Sequence, residues 1–404
     1  MPDSPFTVLD LFCGAGGMSR GFADAGFNIL LAADNSDAAV STYQANFSHP
    51  VLKLDLSAIS DLPTASVIVG GPPCQGFSSA GARREGDRRN SLVGTFANIV
   101  VKQRPRAFVF ENVEGFLTSE GGGHVLELLE PLIAAGYRIH LKKINAANYG
   151  VPQHRKRVLA IGGLGWEPNF PKSTHAAYGA PGAGCHSQHL PPCPTVLDAL
   201  AGLPSAVVDG PGNIQGHTYS ELSENAMLRA KQLQPGMTMR DLPPSLQHES
   251  YMRRSQRRVS DGTPSERRGG APAGVRRLSA LEPSKAITSG ARTEFLHPSE
   301  HRTLTLRECA RLQTFPDDFV FLGSSSEQAL LIGNAVPPIL ATQIAQSLKL
   351  DMAQQKQHLD SGALLSFIPT MSSGMSPALR KTTDLVARQT STEESQERFP
   401  FASF

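Results

Sequence analysis

Several things are scarce in this chain. Its 404 residues hold one Trp and five Cys, and aromatic residues make only 6% of the composition. The cysteines, Cys13, Cys74, Cys185, Cys193 and Cys309, are odd in number and widely scattered, so a disulfide framework is not expected and a reducing compartment is. No run of about 18 apolar residues occurs, and Met1–Pro5 has neither a basic region nor an apolar stretch, which argues against a membrane span and against secretion. A soluble cytoplasmic protein is the expectation. Lysine is scarce too, since 27 of the 38 basic residues are Arg. The net charge of +2 selects no class of partner by itself. Against these shortages stand 40% hydrophobic and 18% charged residues, an ordinary globular composition that excludes wholesale disorder. The length, about twice that of a usual domain, predicts one large or two modest domains with an ample core.

Over the first 165 residues short β-rich runs (Thr7–Phe12, Phe27–Asp34, Val51–Leu54, Ser66–Gly70, Ala107–Phe110) alternate with helical patterns. That alternation predicts a doubly wound α/β fold with a mostly parallel sheet. Val67-Ile68-Val69 and Phe108-Val109-Phe110 are continuously apolar, as strands buried on both faces should be. Two further runs, Tyr137–Ile144 and Arg157–Ile161, are expected to form an antiparallel hairpin at the sheet edge. From about 166 to 284 the texture turns to Pro, Gly, His and Ser, apart from a helical stretch near Ser220–Gln232, and this predicts a second, irregular domain inserted into the first. Residues 285–351 return to the first domain. There Thr305 with Glu308 three positions on reads as a capping box, and Pro337–Leu350 reads as a helix begun by Pro. Residues 352–404, rich in Ser and Thr, are expected to form a weakly ordered tail.

Chemistry concentrates at the ends of the predicted strands. The first ends in Phe12-Cys13-Gly14-Ala15-Gly16-Gly17, where glycines let the backbone pass close to a ligand. Asp34, 20 residues after Gly14, is placed to accept from ribose hydroxyls, and Asp55 closes the third strand as a site for an adenine amine. An adenosine-containing cofactor follows, although Gly14, Gly16 and Asp34 alone also suit a nicotinamide oxidoreductase. The fourth strand runs into Gly70-Gly71-Pro72-Pro73-Cys74-Gln75-Gly76-Phe77-Ser78. Two prolines fix the chain's approach and present Cys74 where open α/β sheets carry their active sites. An isolated Cys is more often a small buried hydrophobe, but such a filler has no use for a Gly-Gly-Pro-Pro lead-in. The fifth strand ends in Glu111-Asn112-Val113, a carboxylate expected to face the same cleft as Cys74. Gln153-His154-Arg155-Lys156-Arg157 adds cations suited to a carbonyl oxygen or a phosphate.

In this order the segments Phe12–Gly17, Asp34, Asp55, Gly71–Ser78, Glu111–Val113, Gln153–Val158, Arg307–Asp317 and Gly333–Pro338 resemble those of the cytosine-5 DNA methyltransferases of prokaryotic restriction–modification systems. The likeness covers about 1–165 and 284–350, and the region between falls where that family keeps its variable target-recognition domain. Three departures stand out. Asp34 occupies a position where Glu is common, His154 one where Arg or Lys is frequent, and the Cys-Phe-Thr motif of the RNA-methylating branch is missing, which favours DNA over transfer RNA.

The resemblance implies a Rossmann-like methyltransferase fold and S-adenosylmethionine as cofactor, held by Phe12, Gly14, Gly16, Asp34, Asp55, Pro73 and Asn334. It implies Cys74 as the nucleophile toward carbon 6 of a flipped cytosine, Glu111 at ring N3, Arg157 at the O2 carbonyl, and Arg155 at a neighbouring group or phosphate. A DNA-binding relative that has lost turnover is the alternative, and intact Cys74, Glu111 and Arg157 argue against it. Double-stranded DNA is the expected partner, with Gln75 and Ser78 among the DNA-binding residues, and a monomer paired with a cognate endonuclease is the expected setting. Between Arg253 and Arg277 stand eight Arg and no Lys, so Arg253, Arg254, Arg257 and Arg258 are candidates for phosphate contact and guanine readout. His175, Cys185, His186, His189 and Cys193 lie close in sequence, but their spacing is not an established zinc pattern, and no metal is expected.

Overall fold

The computed structural model describes residues 6–58, 61–73, 91–177, 189–210, 214–249, 251–252, 274–354, 358–371 and 374–397. Its main sheet contains β1 (Thr7–Leu11), β2 (Asn28–Asp34), β3 (Val51–Lys53), β4 (Val67–Gly70), β5 (Ala107–Val113), β6 (Tyr137–Asn145), β8 (Lys156–Leu164) and β14 (Ala363–Ile368), in the order β14-β6-β8-β5-β4-β1-β2-β3. Only β8 runs antiparallel to its neighbours β5 and β6. The continuous apolar runs are buried on both faces, as expected. Leu9, Leu11, Ile68, Phe108 and Phe110 join one core with Phe96, Leu128 and Leu132 of the helices α3 (Leu92–Gln103) and α4 (Gly123–Ala134). The alternate residues Val8, Val67, Val69 and Val109 join another with Phe22 of α1 (Gly17–Asp24) and with Leu340 and Ile344 of the Pro338–Ala353 helix. The sequence reverses direction between β1 and β4, and at such a switch point the carboxyl ends of the strands open a crevice.

Between β8 and the return to the sheet, strands shrink to two residues. β9 (Val207–Val208) pairs with β10 (Thr218–Tyr219), β11 (Arg276–Arg277) with β13 (Phe295–Leu296), and β12 (Ser284–Lys285) with β7 (Gln153–His154). The region has a small core of its own, Ala230, Leu233, Met239, Leu242 and Leu296, beside the Glu224–Gln232 helix. The Leu306–Leu312 helix opens with the expected box, Glu308 N–H donating to Thr305 Oγ1 at 3.1 Å and Thr305 N–H to Glu308 Oε2 at 2.8 Å.

Polar side chains stitch this return segment to the sheet. Gln153 donates to the carbonyl of Leu312 at 2.7 Å and accepts from Ile287 N–H at 2.9 Å. Arg307, 2% exposed, donates to the carbonyls of Gln215, Pro316 and Phe319. Arg302 forks onto Glu308 at 2.9 and 2.7 Å. Each buried guanidinium here is matched to acceptors, as burial requires.

Two expectations need correction. The β6–β8 hairpin does not end the sheet, because β14 adds in parallel to β6, Ala363 opposite Arg138 through Ile368 opposite Lys142. Nor is the segment after Met352 only a weakly ordered tail. Past β14 the Pro377–Glu397 helix docks Val386, 2% exposed, into the first core, and Thr382 Oγ1 donates to the Leu117 carbonyl at 2.8 Å. A six-residue edge strand and a helix contacting through a few positions carry too little periodic apolar signal to be read from sequence.

Candidate active site

A cavity of about 650 Å³ opens at the carboxyl ends of β1, β2, β4 and β5, lined among others by Phe12, Gly14, Asp34, Asp55, Pro73, Glu111, Arg157 and Asn334. The volume falls in the range of small-molecule sites. Phe12 holds φ at +58°, a left-handed backbone rarely adopted by a bulky residue and common at functional turns. Gly14 follows at φ +53° with nothing within 4 Å of where a β-carbon would stand, so this turn leaves open space at the cavity wall. Gly16 differs. A β-carbon there would lie 2.5 Å from the Phe47 ring and 2.9 Å from Tyr43, and Gly16 does not line the cavity. Packing against Phe47 and Tyr43 requires its glycine.

Asp34 ties the turn together, one oxygen accepting from Gly14 N–H at 2.9 Å and the other from Ser36 N–H at 2.9 Å. Asp55 accepts from Ser57 N–H and Oγ at 3.0 and 2.6 Å, and those bonds hold its carboxyl below the usual range. Asn334 arrives from the end of the Ser325–Asn334 helix and Pro73 from the turn after β4. Asp10 lines the cavity too, and the sequence reading gave it no role. Asp10, 1% exposed, accepts from Ser19 N–H and Oγ at 3.0 and 2.6 Å, and Ser19 Oγ in turn accepts from Tyr43 OH at 2.7 Å. Burial pushes the Asp10 carboxyl up to about 7. Its position, two residues before the glycine turn on a strand, was the available signal.

At the other end of the cavity stand Glu111 and Arg157. Glu111 Oε1 lies 2.9 Å from Arg157 Nε, an approach fixed by the β5–β8 ladder that sets Val113 opposite Arg157 and Glu111 opposite Leu159. Burial lowers the Arg157 pKa and Glu111 partly restores it. A β-carbon at Gly71 would stand 3.3 Å from Glu111 Oε2, so this carboxylate faces the turn into Pro72 and Pro73. Asn112, from the Glu111-Asn112-Val113 segment, donates to the Pro72 carbonyl at 2.9 Å and pins that turn to β5. Cys74, Gln75 and Ser78 lie outside the described residues.

Arg155 does not join this group. It is fully buried and donates to the carbonyls of Ile287 and Ala335 at 2.9 and 3.0 Å, so its guanidinium joins the sheet to the return segment. In a strand, side chains two apart point to the same face, but Arg155 precedes β8 and its direction is set by the loop.

The chain matches the family model "C-5 cytosine-specific DNA methylase" over residues 6–350. It belongs to that family. The methylase is 36% identical over 355 residues to "Type II methyltransferase M1.HphI" of Haemophilus parahaemolyticus, covering 84% of this chain and 86% of that one. It is 31% identical to "Type II methyltransferase M.AgeI" of Thalassovita gelatinovora, covering 85% and 99%. A structure described as a DNA modification methyltransferase encoded within a prophage (E. coli) superposes with a TM-score of 0.65 at 26% identity, covering 86% of this chain and all of that one. The S. pombe Dnmt2 methyltransferase, at 16% identity and a TM-score of 0.55 over 87% and 100%, shares the fold. The chain is thus a C-5 cytosine DNA methyltransferase with the Rossmann-like fold of S-adenosylmethionine-dependent methyltransferases.

For the remaining expected sites the outcomes divide. Arg253, Arg254, Arg257 and Arg258 lie outside the described residues, as do Cys185 and His186. Arg277, from the same arginine-rich stretch, is 3% exposed and donates to the carbonyls of Ala230, Leu233, His297 and Glu300. It organises the small core instead of offering a free fork to DNA. Among the described residues no three His, Cys, Asp or Glu side chains gather as metal ligands, and no helix is long and apolar enough to cross a membrane.

Proposed function

We propose that this methylase transfers a methyl group from S-adenosylmethionine to carbon 5 of a cytosine flipped out of a specific double-stranded DNA site, as the modification partner of a restriction endonuclease. The observation that carries it is the single cavity with Asp34 and Asp55 beside an open glycine turn at one end and Glu111 with Arg157 at the other. The cofactor fits the first end: the space beside Gly14 admits its backbone-close part, and two carboxylates suit neutral donors such as ribose hydroxyls and an adenine amine. When bound, it supplies an electrophilic methyl.

Carbon 5 of cytosine is a poor nucleophile, and Cys74 overcomes this. Its thiolate forms a bond to carbon 6, and the electrons of the 5,6 double bond shift toward carbon 5 and N3, where Glu111 stabilises the developing charge by proton donation or hydrogen bonding. Arg157 holds Glu111 in place and faces the O2 side of the base. Carbon 5 takes the methyl, then loses its proton to a water, and the returning electron pair restores the double bond and expels Cys74. The base must leave the stack, at a cost of a few kcal/mol that DNA contacts offset. The names of the relatives support the restriction–modification setting.

Transfer of tritium from methyl-labelled cofactor to duplex DNA, followed by bisulfite sequencing, tests the reaction and its site. DNA containing 5-fluorocytosine, from which the carbon 5 proton cannot be lost, should trap a denaturant-stable complex with the wild type and none with Cys74→Ser. A trapped complex with that variant would remove Cys74 from the nucleophile's place.

A further inference from the structure

We propose that Thr382 is a positioning residue for methyl transfer, fixing through the Leu117 carbonyl the turn that follows Glu111-Asn112-Val113 and so the end of the cavity that receives the base. The inference rests on the placement of Glu111 and Arg157 at that end. It gives a task to the Pro377–Glu397 helix, which lies beyond the matched family segment of residues 6–350. Thr382 is fully buried, and its hydroxyl donates to the Leu117 carbonyl at 2.8 Å. Its methyl group and hydroxyl fill the space over Gly122, where a β-carbon would stand 2.9 Å from each. Side chain and glycine are fitted to one another. The turn beneath depends on such a fit. Glu120, Gly121 and Gly122 hold φ at +50°, +65° and +97°, three successive left-handed residues, one of them with a side chain that disfavours the conformation. A backbone of this kind persists where its surroundings fix it. Its own chain closes the turn with Thr118 N–H on the Gly115 carbonyl and Gly121 N–H on the Thr118 carbonyl, both at 3.2 Å. Thr382 adds a shorter bond.

The same turn carries groups of the site. Val113, which leads into it, lines the cavity with Glu111 and Asn112. Phe116 packs on Phe110, the residue before Glu111, with ring centres 5.2 Å apart. Glu114 pairs with Lys143, and its charge adds to that of Glu111 in opposing the burial that lowers the Arg157 pKa. A shift of the turn therefore moves the strand end that carries Glu111 and alters the field at Arg157. Gly14, Asp34 and Asp55, which follow β1, end β2 and follow β3, stay where they are. The base end of the cavity thus depends on Thr382 and the cofactor end does not.

Thr382→Val in the full chain keeps the shape of the side chain and removes the bond to Leu117. Its kcat on duplex DNA should fall roughly tenfold while the Kd for S-adenosylmethionine, read by calorimetry, stays at the wild-type value. The rate of covalent trapping on DNA containing 5-fluorocytosine should fall with kcat. Thr382→Ser, which retains the hydroxyl, should restore most of the rate. Val386→Ala loosens the same helix without touching the Leu117 bond, and should lose stability but keep its kcat well below the unfolding temperature. Hydrogen exchange of the wild type gives a reading independent of any variant's folding: amides of residues 115–121 and of 378–388 should open together. Wild-type kcat in a folded Thr382→Val, equal losses of kcat in Thr382→Val and Val386→Ala, a loss of cofactor affinity as large as the loss of rate, or protection of 115–121 that outlasts opening of the helix each overturns the proposal. Absence of methyl transfer by the wild type overturns instead the reading on which it rests.

Discussion

The cavity wall and the seam that joins β7 and β8 to residues 284–336 are built from the same kinds of side chain, and they behave oppositely. Along the seam Gln153, Arg307 and the two terminal nitrogens of Arg155 donate to backbone carbonyls of Leu312, Ile287, Ala335, Gln215, Pro316 and Phe319, with Arg155 Nε the one buried donor of that guanidinium left over. In the cavity Asp10, Asp34, Asp55 and Glu111 keep capacity facing open space. A cation or amide satisfied by its own chain is architecture, whereas one left short in a cavity waits for a ligand. Arg155 and Arg157, two positions apart, fall on opposite sides of that line. Arg157 meets Glu111 at 2.9 Å and lines the cavity. Arg155 is enclosed by protein.

Three variants test the contrast. The largest effect belongs to Glu111→Gln, which should lower kcat by about 10²–10³ with cofactor affinity nearly unchanged, because the lost interaction strengthens only as charge develops on the base. Equal losses in single-turnover rate and in cofactor binding would move Glu111 from the base end of the cavity to the cofactor end. Next comes Arg155→Met. Two carbonyls would lose their buried partner, so the chain should unfold in denaturant with about 3 kcal/mol less stability. Its turnover at low temperature should stay near wild type, and a dead enzyme with unchanged unfolding would return Arg155 to the active site. The smallest is removal of residues 354–404. It uncovers the β6 edge and the site of Val386 and Thr382, and should cost about 2 kcal/mol and promote association through the bare strand. An equally stable, monodisperse truncated chain would show that this edge needs no cover.

Sequence periodicity located β1 to β6 and β8, most plainly β4 and β5, which are buried on both faces. Phe108-Val109-Phe110 can hardly be anything but a central strand, and Thr305 with Glu308 announced a helix start that formed as expected. Glu111 and the strand-end aspartates were legible for the same reason: a carboxylate directly after an apolar strand has few places to go. Asp10 was not, since within β1 it reads as one polar letter among apolar ones and only the crevice between β1 and β4 gives it a cavity. Composition does not set Arg277 apart from its neighbours, because an arginine-rich run looks alike whether it faces a polyanion or binds carbonyls of its own chain.

The kind of molecule is written in local patterns of the chain. Alternating strands and helices, the glycine turn, Pro-Pro-Cys and Glu-Asn-Val follow from local spacing, and local spacing is written in the chain. Which polar groups remain available for chemistry is settled by long-range packing. That depends on which carbonyls, often more than 100 residues distant in sequence as Ile287 is from Arg155, arrive first at each donor, and no local pattern encodes such a meeting.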